Sequence, residues 1–456
     1  MYASHQKVYP REAHGTFATL RRLGVITLLG LFYGVAWLSW DGHQAVLLDL
    51  PARKFYIFGL TFWPQDLIYF AWLLIIAALA LFYVTSLAGR LWCGYACPQT
   101  VWTEIFLWIE RKVEGSRNQQ IKRDKSSLTP DKLRRKALKH FIWVVFSLYT
   151  GFTFVGYFTP IHKLAGEMMA FNLGPWETFW VFFYGFATYG NAGWMREQVC
   201  IYMCPYARFQ SAMFDRDTLI IAYDEERGEP RGSRKKNTDP KQAGLGDCVD
   251  CTLCVQVCPT GIDIRDGLQY QCIGCAACID VCNQVMDKMG YEQGLIRYTT
   301  EHAMQGQRTH IIRPRTVMYT VLLLALSAGL VYAISQRMPM ELDIIRDRNS
   351  LYRETTQGLV ENVYTIKAIN MDEQAHRFRL EVSGAASGLD GLELVTREPL
   401  VEILPSEVIS MPVSVRIDPI ELKRAANQIE FTLTAVDKPE LTRTRGARFL
   451  GPVMSR

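Results

Sequence analysis

Cys248-Val249-Asp250-Cys251-Thr252-Leu253-Cys254-Val255-Gln256-Val257-Cys258-Pro259 is followed by a second run, Cys272-Ile273-Gly274-Cys275-Ala276-Ala277-Cys278-Ile279-Asp280-Val281-Cys282. The two share one spacing and a constant offset of 24 residues. They hold eight of the twelve cysteines in the 456-residue chain. The other four form two matched pairs, Cys93-x3-Cys97-Pro98 and Cys200-x3-Cys204-Pro205, at an offset of 107. Each pair lies just beyond an uncharged apolar stretch.

Runs of this spacing are ligands of bacterial ferredoxins that carry two [4Fe–4S] clusters, in which the fourth cysteine of each run serves the other cluster. Transferred here, one cluster takes Cys248, Cys251, Cys254 and Cys282, and the second takes Cys272, Cys275, Cys278 and Cys258. Structural zinc is the competing assignment for Cys-x2-Cys pairs, and two complete runs at one offset favour clusters. Asn283 stands where a proline is expected after the last cysteine, which removes no ligand.

Five uncharged stretches are long enough to cross a bilayer: Leu23–Trp40, Leu67–Gly89, Phe141–Ile161, Thr178–Met195 and Thr316–Gln336. The 49% apolar and 12% aromatic content suits a membrane protein with large polar parts. The first stretch is too long for a signal peptide and lacks a small-x-small cleavage site, so it reads as a retained span. Twelve Lys and Arg fall between Arg90 and Lys139, against Arg53 and Lys54 in the first loop and Lys163 in the third. The positive-inside rule then puts the N-terminus in the cytoplasm and the C-terminus outside. All twelve cysteines fall on the cytoplasmic side, where thiols stay reduced.

These boundaries divide the chain. Residues 1–227 form a membrane domain with four spans and both Cys-x3-Cys-Pro pairs, each pair ending a two-span hairpin. Residues 228–247, rich in Gly, Pro and Lys/Arg, form a basic linker expected to be a mobile, solvated tether. Residues 248–315 hold the two cysteine runs, and 316–336 the fifth span. After Gln336 the period becomes two, as in Phe378, Leu380, Val382 and again in Ile429, Phe431, Leu433, Ala435. That pattern predicts a β-sandwich of roughly seven strands over residues 341–456. After Cys97, the residues Val101, Ile105 and Trp108 share one face of a helix expected to lie in the membrane interface.

Cysteines four apart on a helix share a face, so each pair can grip one soft ion or supply half of a four-thiolate site. Soft thiolates favour Cu(I); buried packing cysteines and zinc are the alternatives. His43, His140, His162, His302 and His310 read as interfacial or surface residues rather than ligands. No nucleotide-binding glycine fingerprint or c-type haem motif occurs, which points to electrons arriving from a partner.

With both cysteine sets placed, the chain resembles the CcoG (FixG, RdxA) family, accessory proteins for assembly of cbb3-type cytochrome oxidase. The resemblance rests on Trp92-Cys93-Gly94-Tyr95-Ala96-Cys97-Pro98-Gln99-Thr100-Val101-Trp102, on Cys200 to Gln210, and on Cys272 to Asp280. It implies a mixed membrane protein: a five-span α-helical domain, a cytoplasmic two-cluster ferredoxin-like domain and a periplasmic immunoglobulin-like domain, in the bacterial inner membrane. It further implies a cupric reductase that supplies Cu(I) for the oxidase's haem–copper centre, with Cys93, Cys97, Cys200 and Cys204 binding copper. The partners implied are a cytoplasmic electron donor, copper carriers and oxidase assembly factors, and no nucleic acid. Two rivals stand: an electron-relay subunit serving a quinone or larger membrane enzyme, and a copper-binding scaffold.

Overall fold

The computed structural model describes residues 7–236, 244–372, 374–405, 407–422 and 424–452. The chain forms two compact units, Met1–Leu330 and Val331–Arg456.

Among the described residues, four helices are long and apolar enough to cross a membrane: Thr16–Val35, Pro64–Ala88, Pro130–Val155 and Pro314–Ser335. The first begins seven residues before the expected Leu23 because its start is held from outside: the Asp280 carboxylate accepts the backbone N–H groups of Phe17 and Ala18, the latter at 2.7 Å. The third begins at Pro130, eleven residues before the expected Phe141. Thr129 caps it by accepting from the Lys132 backbone N–H, and proline occupies the first helical position, where its missing N–H is harmless.

The stretch expected as the fourth span is not one α-helix. An α-helix over Pro175–Thr188 runs into a π-helical turn, Tyr189–Met195. Gly190, Asn191 and Gly193 favour α-helix weakly, and side chains add hydrogen bonds to the carbonyls in and just after the wide turn. Gln99 Nε2 donates to Asn191 O and Arg196 O, and Arg196 Nε donates to Gly193 O. The third helix packs backbone to backbone on this segment: a Cβ at Gly151 would lie 2.3 Å from Val181 O, the close approach that small residues permit between membrane helices.

The eight-cysteine region belongs to the same unit. Strand Ile220–Tyr223, ahead of the basic segment, pairs antiparallel with Ile296–Thr299 beyond the last cysteine, so the module closes on itself. Helices Leu253–Val257 and Ala277–Met289 lie between. The segment read as a free tether is pinned where it is described: Gly232 N donates to Cys248 O, Gly246 N to Pro230 O, and Arg234 Nε to Tyr291 OH. Its centre, residues 237–243, lies outside the described residues. Of the face Val101, Ile105 and Trp108 expected at the interface, the helix Pro98–Glu114 packs Val101 inside the protein. It buries Val101, Phe106, Ile109, Glu110 and Glu114 within the unit, and Trp108 stays exposed.

The second unit is a sandwich of a five-stranded and a four-stranded antiparallel sheet. The expected alternation holds along His376–Ser383 and Ala426–Ala435, with Phe378, Phe431 and Leu433 inside. Tyr364 lies edge-on to Phe431 at 5.2 Å and its hydroxyl donates to Arg448 O, tying the two sheets together. More strands form than the roughly seven expected, because short pieces such as Arg353–Glu354 and Glu393–Val395 add edges too brief to show a period.

Buried His376 is clamped between Asp437 (Nδ1 to Oδ2, 2.6 Å) and Asp372 (Nε2 to Oδ2, 3.0 Å). Burial alone would lower its pKa, but the hydrogen bonds to both carboxylates outweigh it and raise it. The stabilisation is therefore complete below the ordinary histidine value of about 6.5 and fades as pH rises through the raised one. His376→Ala is expected to cost this unit about 1–3 kcal/mol at pH 6 and less at pH 9, measured as proteolytic opening of the sandwich in the intact protein; a pH-independent loss would contradict the clamp.

Candidate redox and metal site

Each Cys-Pro element is built the same way. Proline at the first helical position drives the residue before it out of the α region. Cys97 (φ −61, ψ 129) and Cys204 (φ −76, ψ 110) thus sit extended at the N-termini of Pro98–Glu114 and Pro205–Met213. Cys93 lies on the short helix Leu91–Tyr95 and Cys200 on the π-helical turn Val199–Met203.

The fold brings all four thiols together. Charge on Cys97, Cys93 and Cys204 reaches Cys200, and with burial as the larger cause it pushes the Cys200 thiol up to about 12. Burial and Cys97 push Cys93 up to about 11, although Gln210 hydrogen-bonds its sulfur. Burial also raises Cys97, against hydrogen bonds from the backbone at Gln99 and Thr100. The two motifs clamp each other: Gln210 of the second reaches Cys93 Sγ at 3.5 Å, while Gln99 of the first holds the carbonyls ahead of Cys200. Sequence spacing alone left open whether the pairs act separately or as one group of four.

The eight remaining cysteines fall into two groups, neither confined to one run. Cys282 has Cys254, Cys248 and Cys251 as its charged neighbours, and Cys278 has Cys275, Cys272 and Cys258 ahead of Cys254. Each group thus combines three cysteines of one run with the last of the other. The two loops also share a backbone path: Asp250 and Thr252 have φ of 50 and 55, and Gly274 and Ala276, 24 residues on, have 68 and 58. Cys258, Cys272, Cys275 and Cys278 line one cavity, joined at its edge by Cys254 of the other group. Soft donors in sets of four around such a space fit an iron–sulfur cluster. Burial pushes Cys272 and Cys282 up to about 12 and Cys254 to about 11, so charged thiolates there need a bound cation to compensate them.

Asn283 explains the missing proline. Cys282 sits inside the helix Ala277–Met289, whose next N–H a proline would remove, and Asn283 Oδ1 accepts from Gly294 N at 3.0 Å. Cys258 instead ends its helix, so Pro259 is tolerated.

The two sites touch. A Cβ at Gly94, between Cys93 and Cys97, would lie 2.9 Å from Cys275 N and Cα and from Gly274 C. Arg90, nearly buried, donates to the carbonyls of Tyr270, Cys272 (3.1 Å) and Ala207 (2.8 Å). It thereby joins the segment ahead of Cys93, the inner cysteine loop and the helix after Cys204. A second cavity, with about 510 Å³ of atom-free space, is lined by Arg21, Gln99, Glu104, Glu197, Cys200 and Thr260 among others and reaches from the thiol group to the loop after Cys258.

Known proteins resemble this chain in its separate parts and as a whole. Residues 195–301 match a 4Fe-4S dicluster domain family, 70–115 a 4Fe-4S binding domain family, and 330–452 the family described as an IG-like fold at the C-terminal of FixG. Protein RdxA of Cereibacter sphaeroides is 40% identical over 85% of this chain and 84% of its own. Nitrogen fixation protein FixG of Rhizobium meliloti is 38% identical over 84% of this chain and 80% of its own. The crystal structure of a FixG-related protein from Vibrio parahaemolyticus is 33% identical over 25% of this chain and 98% of its own, with a TM-score of 0.23.

Gly94→Ala forces a methyl group into backbone and is expected to cost about 1–3 kcal/mol. Gly30→Ala, on a helix with nothing within 4 Å, is expected to be neutral or stabilising by up to about 1 kcal/mol. Thermal unfolding of both variants in detergent checks the contrast, and equal effects would mean that the Gly94 contact is not tight.

Proposed function

This chain belongs to the family of RdxA and FixG and is an iron–sulfur electron-transfer protein; from that premise we propose that it reduces Cu(II) to Cu(I) for assembly of the haem–copper centre of a cbb3-type oxidase. The observation that carries the reading is the convergence of Cys93, Cys97, Cys200 and Cys204 on a loop whose glycine lies against Cys275.

In this reading Cys248, Cys251, Cys254 and Cys282 hold one [4Fe–4S] cluster, and Cys272, Cys275, Cys278 and Cys258 the other. When bound, the clusters supply electrons one at a time, which is the stoichiometry that Cu(II) requires. The chain's own residues prepare the acceptor. The four thiols give soft donors that favour Cu(I) over Cu(II), and each must lose its proton to bind. Arg90 supplies a fixed positive charge that favours the thiolates of Cys93 and Cys200. A cavity lined by Arg21, Glu104, Glu197 and Cys200 reaches one of the four thiols. With the Lys/Arg-rich segments facing the cytoplasm, copper would be reduced on that side of the inner membrane and the sandwich would face the periplasm, free to meet assembly factors.

A second reading draws on a specific observation: residues 70–115, which contain Cys93 and Cys97, match a family described as 4Fe-4S binding. Four converging thiols can hold a third cluster, and the protein would then relay electrons to a quinone or a larger membrane enzyme. Iron content separates the two, at about eight atoms per chain for two clusters and about twelve for three.

Dithionite-reduced protein, freed of excess reductant, is expected to yield about one Cu(I) per reduced cluster, read with a Cu(I)-specific chelator. Cys97→Ser and Cys204→Ser are each expected to slow this at least about tenfold with cluster absorbance unchanged. Normal reduction by both variants would end the copper assignment of these thiols. A fall from about twelve irons to about eight in the variants would replace it with the relay.

A further inference from the structure

His302 and His310 read as surface residues in the sequence, yet the fold turns both onto one carboxylate. Asp217 Oδ1 lies 2.8 Å from His302 Nδ1 and 3.7 Å from His310 Nδ1. It also accepts the backbone N–H of His310 at 2.9 Å. One ligand atom from each of the three residues lies within 4.8 Å of the others, as the donors of a single coordination sphere do. An ordinary His–Asp ion pair needs one imidazole. Here a second is set at 89° to the first, with ring centres 6.3 Å apart, an arrangement a simple pair does not call for.

The three segments are fixed independently of any ion. Asp217 N donates to Asp215 Oδ1, and Thr218 Oγ1 donates to Ser86 O at the end of the second helix. Arg313 pairs with Asp215 and also donates to Ser86 O. His302 N donates to Arg216 O, Gln307 N to His302 O, and the Thr300 and Thr309 hydroxyls bond at 2.7 Å. Asp217 and His302 are largely covered, whereas His310 is 67% exposed. The group therefore has one open side, through which an ion and its remaining waters can enter.

We infer that Asp217, His302 and His310 form a metal site that takes one divalent first-row ion through nitrogen and oxygen donors, and that it captures Cu(II) before reduction. Imidazole and carboxylate suit Cu(II), which binds such sets more tightly than its neighbours in the row, whereas thiolate suits Cu(I). The chain would then carry one site for each oxidation state of its substrate. Both are tied to the same helix end: Thr218 and Leu219 bond the carbonyls of Ser86 and Leu87, and the chain continues through Gly89 and Arg90 to Cys93. The capture role rests on the cupric-reductase reading; the binding of an ion does not.

The test adds one equivalent of CuSO4 to the oxidised full-length protein with its clusters in place. Pulsed EPR is expected to show Cu(II) coupled to two imidazole nitrogens. His310→Ala, an exposed position, and the more conservative His310→Gln are both expected to weaken Cu(II) binding at least about tenfold with iron content unchanged. Their KM for Cu(II) is expected to rise by a similar factor at constant kcat. Copper without imidazole coupling, or equal affinity in both variants, would overturn the site. Imidazole-bound Cu(II) that the reduced protein never reduces would leave the site standing and defeat the reductase. Reduction with unchanged KM in both variants would defeat the capture role and leave the reductase standing.

Discussion

The contact of Gly94 with the peptide between Gly274 and Cys275 governs the first unit. No side chain fits between these backbones, so the loop bearing Cys93 and Cys97 sits directly on the loop bearing Cys272 and Cys275. Gly274 is constrained in turn, since its φ of +68 favours glycine and a Cβ there would meet Arg90 O at 3.0 Å. Arg90 makes the contact permanent. A buried guanidinium is costly unless its donors are satisfied, and three carbonyls from two separate segments satisfy this one. Separating those segments would strand the charge, so the two sulfur-rich sites keep a fixed spacing.

A second set of charges fixes the module to the membrane helices. Gly15 cannot cap the first helix with a side chain, and Asp280, two residues past Cys278, supplies the carboxylate at that positive helix end. Behind the thiol group, Glu110 is held by Arg196 at 2.8 Å and Lys139 at 3.2 Å. Burial would raise the Glu110 pKa, but these cations bring it down to about 2, so the carboxylate is charged at any physiological pH. Arg196, with its positive φ of 42, ends the π-turn four residues before Cys200. The wide turn that breaks the fourth apolar stretch is thus what aims the second cysteine pair, consistent with the tendency of π-turns to mark functional positions.

What the sequence made legible was whatever local chemistry dictates. The period of two announced the strands around Phe378 and Phe431. Apolar stretches located the helices, though not their starts, because Thr129 and Asp280 set those starts and lie outside the apolar windows. The convergence of the two Cys-x3-Cys-Pro pairs was not legible, since it depends on cross-clamps by Gln99 and Gln210 that no spacing encodes. Charge and glycine content look alike in a tether and in a hydrogen-bonded loop, so the pinned ends of the basic segment leave no mark in the sequence. Neither His302 nor His310 marks a site by itself; both meet at Asp217, 85 and 93 residues away. The one signal available was two histidines within ten residues, just ahead of an apolar stretch.

The burial of the sulfur atoms also gives the wire a direction. Of the eight run cysteines, Cys251 is the exposed one, while Cys254 of the same group is buried beside the inner group. The inner group in turn lies against Gly94. Under the proposed ligand sets, Cys251 would be the ligand that a donor can reach, and the inner group would lie between it and the Cys-x3-Cys-Pro thiols. Transfer between buried centres asks little of solvent, because their surroundings are already fixed dipoles, whereas the entry point must tolerate docking and release. In that reading a donor docking at Cys251 would meet the outer group first, and the thiols proposed to hold copper would lie behind the inner one.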